Sequence, residues 1–245
     1  WTPTEFFFGP SVSGGEYDYT FINSKLVEVT ACKVEDVDAD PTTADDRIAV
    51  EGWTVKLWKD GVVVDTQLTG EDGCYTWTDL EPGPIYGVEE VVPEGWYAWT
   101  PTEFFFGPSV SGGEYDYTFI NSERVDVTAC KLEDLDGDIL TTDDQVVLSG
   151  WTVYYSIDGV RQLPGQLTGT DGCYTWTNLV PGLVYDVEED VTPGWIPLTP
   201  IEFIFERSVS GGEYSYTFIN HRSLGCTYTQ GYWKTHSIFG PAGPY

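Results

Sequence analysis

The chain has 245 residues, and its 40 acidic side chains against 11 basic ones give a formal net charge of −29. Hydrophobic residues make up 41% and aromatic residues 16%, which is too rich in core-forming side chains for a disordered acidic tail. A surface this acidic repels nucleic acid and anionic membranes, and no apolar run approaches the length of a membrane span, so we expect neither as a partner. The chain has no Met and five Cys, which favours a processed or partial chain from an oxidising, extracellular compartment.

The sequence repeats itself with a period of about 98 residues. Its first 24 residues recur letter for letter at 99–122, and the motifs VTACK, GWTV and DGCYTWT each occur twice. The repeats predict four parts: 1–24, the last strands of a preceding repeat or a donor strand; 25–122, a first domain; 123–220, a second domain; and 221–245, a tail of unknown role.

Each repeat is typical of an all-β domain. Short runs of alternating polar and apolar residues, such as VEVTACKV at 27–34, are separated by turn signals such as Asp60-Gly61 and Asp72-Gly73. No helical period is sustained. Strands at this spacing over about 98 residues predict tandem immunoglobulin-like β-sandwich domains.

Three polar residues of the first repeat fall on the apolar face of their strands. Because strand side chains alternate between faces, Lys33 follows Val29 and Ala31 towards the core, and Glu90 and Asn121 lie on the core face of their own strands. The second repeat places three equivalent residues: Lys131, Glu189 and Asn220.

Burial lowers the pKa of a Lys and raises that of a Glu, which would give a nucleophilic amine beside an acid able to polarise the Asn amide. The predicted product is a Lys–Asn isopeptide bond, formed with loss of ammonia, in which Glu90 and Glu189 act as the acids. The alternatives are an ordinary ion pair, or side chains that turn out to solvent at the strand ends.

An aspartate-rich loop follows the Lys strand in each repeat. Alternate Asp side chains in a turn converge on one centre and supply the hard oxygen ligands that Ca²⁺ requires, although the spacing is not that of an EF-hand. A solvated acidic loop is the alternative. The predicted ligands are Asp36, Asp38, Asp40, Asp45 and Asp46 in the first loop, and Asp134, Asp136, Asp138, Asp143 and Asp144 in the second.

The cysteines also recur in matched positions. One pair in each repeat predicts the disulfides Cys32–Cys74 and Cys130–Cys173, with buried free thiols as the alternative. Cys226 has no mate within the chain.

These motifs resemble those of a known family. Thr30–Asp36, the pattern Tyr86-x-Val88-x-Glu90-x-x-Pro93-x-Gly95-Trp96 and Phe119-Ile120-Asn121 resemble the first strand, the E-box and the last strand of collagen-adhesin B-type (CnaB, prealbumin-like) domains. The stretch from GWTVKLW to DGCYTWTDLEPG is similar to the B-repeats of serine-aspartate-repeat surface proteins. The resemblance implies seven-stranded sandwiches used as stalks in adhesins and pili, Lys33–Asn121 and Lys131–Asn220 crosslinks, and bound Ca²⁺.

The sequence therefore predicts an extracellular structural protein, a rigid stalk or a filament subunit whose copies join head to tail. Asn23, which repeats Asn121, is then a crosslink candidate for a neighbouring copy or a preceding repeat. The alternative is a surface adhesin, which collagen or glycan binding would reveal. An enzyme is not expected, beyond one self-crosslinking event per domain.

Overall fold

The computed structural model describes residues 5–10 and 13–223, and within these ranges the chain forms nineteen strands and no helix. The chain divides into two compact units, whose main stretches run up to Arg124 and from Val125 onward, called domain 1 and domain 2 below. The predicted all-β, sandwich-type fold is confirmed.

Domain 1 packs two sheets against each other. Its strands are β1 (Val27–Asp36), β2 (Arg47–Ala49), β3 (Thr54–Lys59), β4 (Val62–Leu68), β5 (Cys74–Leu80), β6 (Ile85–Glu90), β7 (Trp96–Ala98), β8 (Glu103–Pro108) and β9 (Glu114–Glu123). One sheet has the order β2-β1-β9-β7, with β5 also paired to β1, and the other has the order β4-β3-β6-β8. The β1–β9 pair is parallel, which brings the Lys strand and the Asn strand side by side.

Domain 2 repeats this topology. Its strands are β10 (Val125–Asp134), β11 (Gln145–Val147), β12 (Thr152–Ile157), β13 (Val160–Arg161), β14 (Gln166–Leu167), β15 (Cys173–Leu179), β16 (Val184–Glu189), β17 (Trp195–Pro197), β18 (Glu202–Arg207) and β19 (Glu213–Arg222). The short strands β13 and β14 replace β4, because the run between them contains Pro164, which has no backbone N–H to donate.

The strand counts differ from the seven that the family resemblance implied. Domain 1 has nine strands because β2 and β7, of three residues each, add to the seven longer ones. The last strand of each repeat also continues past the asparagine at which the sequence motif ends, to Glu123 in β9 and to Arg222 in β19.

Alternation along β1 builds the core of domain 1. Val27, Val29, Ala31 and Lys33 are all fully buried, whereas the residues between them are not. They pack with buried Leu57, Trp77, Val88 and Phe119 from the other strands. A charged side chain thus occupies a core position, which normally requires a partner.

The N-terminal segment, residues 5–10 and 13–24, forms no strand, although its identical copy supplies β8 and most of β9. The aromatic side chains still stack as they do in the copy: the Phe6 and Tyr19 ring centroids are 4.1 Å apart, and those of Phe104 and Tyr117 are 4.4 Å apart. Phe7 is 84% exposed. The copy forms strands because β6 and β1 provide hydrogen-bonding partners for it, so the segment needs a sheet to pair with.

Candidate functional site

Lys33, Glu90 and Asn121 meet in the core of domain 1, and we call this group crosslink site 1. The Lys33 Nζ lies 3.2 Å from Glu90 Oε2, and the Asn121 amide nitrogen donates to the same oxygen at 3.1 Å. The three side chains are at most 3% exposed. One carboxylate oxygen therefore contacts both the amine and the amide that an isopeptide bond would join.

Domain 2 contains the same arrangement, crosslink site 2. Lys131 Nζ lies 2.9 Å from Glu189 Oε2, and the Asn220 amide nitrogen donates to that oxygen at 3.2 Å. These three side chains are again at most 3% exposed. The geometry recurs within a core built of mostly the same residues.

The strand pairings explain why these residues meet. The parallel pairing of β1 with β9 sets Lys33 opposite Phe119 and Glu35 opposite Asn121, so that the lysine and the asparagine lie two positions apart on the same sheet face. Glu90 ends β6 in the opposite sheet, and its side chain crosses the core to reach both.

Burial changes the protonation of this site in a consistent direction. Removal from water lowers the pKa of Lys33 to about 8, against the opposing effect of the Glu90 charge, and does the same to Lys131. Burial likewise raises the pKa of Glu90. Both shifts favour the neutral amine and the neutral acid, the forms that nucleophilic attack on an amide requires.

Several atoms of the site also have no hydrogen bond. Three atoms of crosslink site 1 are buried without a hydrogen bond: Lys33 Nζ, Glu90 Oε1 and Asn121 Oδ1. The equivalent atoms of Lys131, Glu189 and Asn220 in crosslink site 2 also have none. A buried polar group without a partner is costly, and a half-satisfied charged network is worse than an apolar core. A protonated Glu90 could donate to the Asn121 carbonyl, and an amide bond would remove the buried charges.

Two tryptophans that the sequence did not predict enclose the amine. The Lys33 Nζ lies 4.4 Å from the Trp53 ring centroid and 5.9 Å from that of Trp96, and the two rings meet edge to face. In domain 2, Lys131 lies over Trp151, which meets Trp195 in the same way. The sequence did carry a trace of these tryptophans, because each of them follows a glycine and recurs in both repeats. Only the fold shows that the two rings of a repeat line one site.

The aspartate loops each bring three carboxylates together. Aspartate cluster 1 consists of Asp36, Asp38 and Asp46, and aspartate cluster 2 consists of Asp134, Asp136 and Asp144, with oxygens within 4.8 Å of one another in each cluster. Asp36 is fully buried, and neither of its carboxylate oxygens has a hydrogen bond, although Arg47 Nε lies 3.5 Å away. Burial, followed by the charge of Asp46, raises the pKa of Asp36. A bound cation would remove both penalties.

In each loop the structure brings together three of the five predicted ligands. Asp40 and Asp138 lie outside the clusters because each turns back to cap its own loop: Asp40 Oδ1 accepts from the Thr42 amide, and Asp138 Oδ1 from the Leu140 amide. Asp45 and Asp143 are exposed and also lie outside the clusters. Alternation in sequence does not hold in a loop, where side chains form local turns instead.

Both predicted disulfides are present, since Cys32–Cys74 and Cys130–Cys173 each link neighbouring strands. Asn23 is exposed, and the structure does not bring it to a crosslink site. Cys226 and the tail from 224 onward lie outside the described residues.

The fold and the disulfides define a class, a tandem array of extracellular β-sandwich domains. The chain is 28% identical over 180 residues to the serine-aspartate repeat-containing protein D of Staphylococcus aureus, in strains Newman and MW2 alike. The match covers 66% of this chain and 13% of the relative, so the chain spans a small part of that protein. This similarity confirms the predicted resemblance to serine-aspartate-repeat proteins. No family model matches the chain.

The solved structures that match the chain include two pilins. The minor pilin of Streptococcus agalactiae has a TM-score of 0.34 and 14% identity, and the match covers 80% of this chain and 95% of that one. The shaft pilin SpaA of Lactobacillus rhamnosus GG has a TM-score of 0.33 and 13% identity, with 81% and 98% covered.

The disulfides and the relatives agree with the predicted extracellular, surface-associated localisation. Among the described residues, no helix has the length and hydropathy that crossing a bilayer requires.

Proposed function

We propose that the chain is part of a rigid extracellular scaffold, in which each β-sandwich domain is stabilised by a disulfide, a bound calcium ion and a Lys–Asn isopeptide bond. The observation that carries the proposal is the shared carboxylate oxygen of each crosslink site, which contacts both the amine and the amide inside the buried core. Such bonds resist pulling and proteolysis, as a stalk outside the cell requires.

The proposed reaction occurs once per domain. The neutral Lys33 amine attacks the Asn121 side-chain carbonyl carbon while the protonated Glu90 donates to the carbonyl oxygen. The Glu90 carboxylate then takes the proton from the attacking nitrogen and passes it to the amide nitrogen, which leaves as ammonia. The carbonyl oxygen returns its proton to Glu90 as the C=O bond re-forms. Lys131, Glu189 and Asn220 do the same in domain 2. No turnover follows, because the product is the folded protein itself.

Calcium is the cation that best suits the aspartate clusters. Carboxylates are the hard oxygen ligands that Ca²⁺ prefers, and a flexible loop can add backbone carbonyls and water to reach six to eight ligands. The three aspartates of each cluster would hold the ion, and its charge would offset their mutual repulsion.

An intact-mass measurement tests the crosslinks. We expect the reduced wild-type chain to weigh less than its sequence by two molecules of ammonia, because each domain loses one. Peptide mapping should then find the Lys33 and Lys131 peptides joined to those of Asn121 and Asn220. A mass equal to that of the plain sequence would show that the sites are only ion pairs.

We further propose that copies of the chain join head to tail through the N-terminal segment. Its exposed Phe6, Phe7 and Phe8 belong to a sequence that forms strands elsewhere in the same chain, and exposed strand-forming segments pair readily. Pairing of the N-terminal segment with a sheet of a neighbouring copy would also bring Asn23 to that copy.

Sedimentation and electron microscopy at increasing concentration test this assembly. We expect linear assemblies for the wild type and monomers for a chain with Phe6, Phe8 and Tyr19 changed to serine, because stacking of these rings holds the segment together. An Asn23→Ala control should still assemble, without covalent links between copies. A monomeric wild type at every concentration refutes the head-to-tail model.

A surface adhesin is the second candidate, and strand β4 favours it. This edge strand exposes Val62, Val64 and Leu68 by 63%, 52% and 58%, while its one charged residue, Asp65, accepts hydrogen bonds from Trp77 and Gln67. An edge without outward charges can accept an extended peptide. Binding assays on collagen and on a glycan array separate the two candidates.

A further inference from the structure

A buried chain of hydrogen bonds joins the asparagine strand of domain 1 to its aspartate loop. The residue after Asn121 is Ser122, which is fully buried. Its hydroxyl donates to the backbone carbonyl of Asp36 at 2.5 Å, and the Trp99 indole N–H donates to the Ser122 oxygen at 2.9 Å. Asp36 therefore has its carbonyl bonded to the asparagine strand and its carboxylate in aspartate cluster 1.

Domain 2 makes the same contact with a different side chain. The residue after Asn220 is His221, whose Nδ1 lies 2.9 Å from the backbone carbonyl oxygen of Asp134. The imidazole also covers Gly137 of the loop, where an added Cβ would meet the ring at 3.4 Å. Both domains thus connect the residue after the asparagine to the first aspartate of the cluster, although the connecting side chains differ.

This contact bears directly on the crosslink geometry. Lys33 and Asp36 lie three residues apart on β1, and Asn121 and Ser122 are neighbours on β9. The Ser122–Asp36 bond extends the β1–β9 pairing by one position and holds the ends of the two strands together next to the reacting groups. The other side of β9 is held by Thr100, whose hydroxyl accepts from the Ile120 amide at 3.0 Å. Whatever orders the end of β1 therefore also aligns Asn121.

We propose that Ser122 is a positioning residue that couples aspartate cluster 1 to crosslink site 1, and that His221 has the same role in domain 2. Cation binding fixes the position of Asp36, and the hydrogen bond from the Ser122 hydroxyl to Asp36 then fixes the adjacent part of β9. Asn121 therefore stays aligned with Lys33. The inference rests on the proposed function, because it needs both the cation and the crosslink. Coupling of this kind is reciprocal, so the docked β9 must also strengthen cation binding.

Ser122→Ala and Ser122→Thr variants of the full chain test the coupling. Each is made by cell-free synthesis with calcium or with EGTA, and crosslinked peptides from each domain are counted over time. We expect calcium to accelerate crosslinking in both domains of the wild type. In Ser122→Ala, the acceleration by calcium should be about fivefold smaller in domain 1, because the loss of one hydrogen bond changes an equilibrium by about that factor. The acceleration in domain 2 of the same molecules should be unchanged. Ser122→Thr, which keeps the hydroxyl, should behave as the wild type.

Calorimetric titration with calcium gives a second readout that needs no crosslink. We expect one of the two sites to weaken about fivefold in Ser122→Ala. Unchanged calcium affinity, or domain 1 crosslinking that slows equally with and without calcium, overturns the coupling and leaves Ser122 a packing residue. If neither wild-type domain loses ammonia, the crosslink part of the proposed function fails, and the titration still decides whether Ser122 communicates with the cluster.

Discussion

A Glu90→Gln variant is expected to fold with domain 1 uncrosslinked and domain 2 crosslinked, so that its reduced mass is lower than its sequence mass by one ammonia instead of two. Glutamine keeps the shape of Glu90 and its contact with Asn121, but it cannot accept and return a proton. Lys33 then loses the Glu90 charge that holds its pKa up against burial, so its pKa falls further and the buried amine becomes neutral.

The loss of stability should be large. The Lys33–Asn121 bond closes a loop over almost the whole domain, and in the chain-entropy model a covalent loop of that size stabilises the folded state by about 4 to 5 kcal/mol. For a domain of about 100 residues, this lowers the unfolding temperature by roughly 20 °C or more. Differential scanning calorimetry should therefore split one transition into two, with domain 1 unfolding first.

A Glu89→Gln variant is the matched control. Glu89 is the preceding residue on β6 and faces the other way, where it binds Lys56 and the Trp58 indole. Its replacement should leave both crosslinks intact and cost little stability, as expected for a partly exposed ion pair. A Glu90→Gln chain that still loses two ammonia molecules would show that the carboxylate is not the acid.

The sequence was sufficient to predict that Lys33, Glu90 and Asn121 face the core, because the face on which a strand residue lies depends on strand parity. Lys33 follows Val29 and Ala31 at intervals of two, and a strand has no freedom to turn one of these side chains to the other face. The internal repeat added a second, independent instance of each position. The disulfides were predictable because each repeat holds one pair of cysteines at matched positions, and the structure places each pair opposite one another on paired strands.

The aspartate loops were only partly predictable, because loop side chains follow local hydrogen bonds and not a period. Asp40 was placed with the ligands by spacing, yet its carboxylate caps Thr42. The hydrogen bond of Ser122 to Asp36 could not be predicted at all, because it depends on contact between β9 and the end of β1, which are far apart in sequence. The same holds for the tryptophans over Lys33.

Removal of calcium is expected to destabilise both domains, and domain 1 more strongly. A ligand that binds only the folded state adds about 2.7 kcal/mol at one hundred times its Kd, which corresponds to roughly 10 to 20 °C in unfolding temperature for a domain of this size. EDTA at low ionic strength should therefore lower the unfolding temperature by roughly 10 to 20 °C. Added calcium should restore it, whereas magnesium in equal amount should restore less.

Neighbouring aspartates provide the control for this experiment. Asp46 belongs to aspartate cluster 1 and Asp45 does not, although both are acidic residues of the same loop. Asp46→Asn should abolish the calcium-dependent shift of domain 1, and Asp45→Asn, which removes the same charge, should keep it. Equal effects of the two variants, or melting that EDTA leaves unchanged, would mean that the loops are simply acidic.

The difference between the domains follows from the first aspartate of each cluster. In domain 2 the Asp134 carboxylate accepts hydrogen bonds from the Gly137 amide and the Gln145 side chain. These bonds offset part of the cost of burying the carboxylate, even without a cation. In domain 1 the Asp36 carboxylate is buried without a hydrogen bond, and the cation beside it is Arg47, whose Nε lies 3.5 Å away. Without calcium, that long contact must offset both the burial of the Asp36 charge and its repulsion from Asp46, which costs more than leaving the hydrogen-bonded Asp134 without its ion. Calcium removal should accordingly unfold domain 1 first.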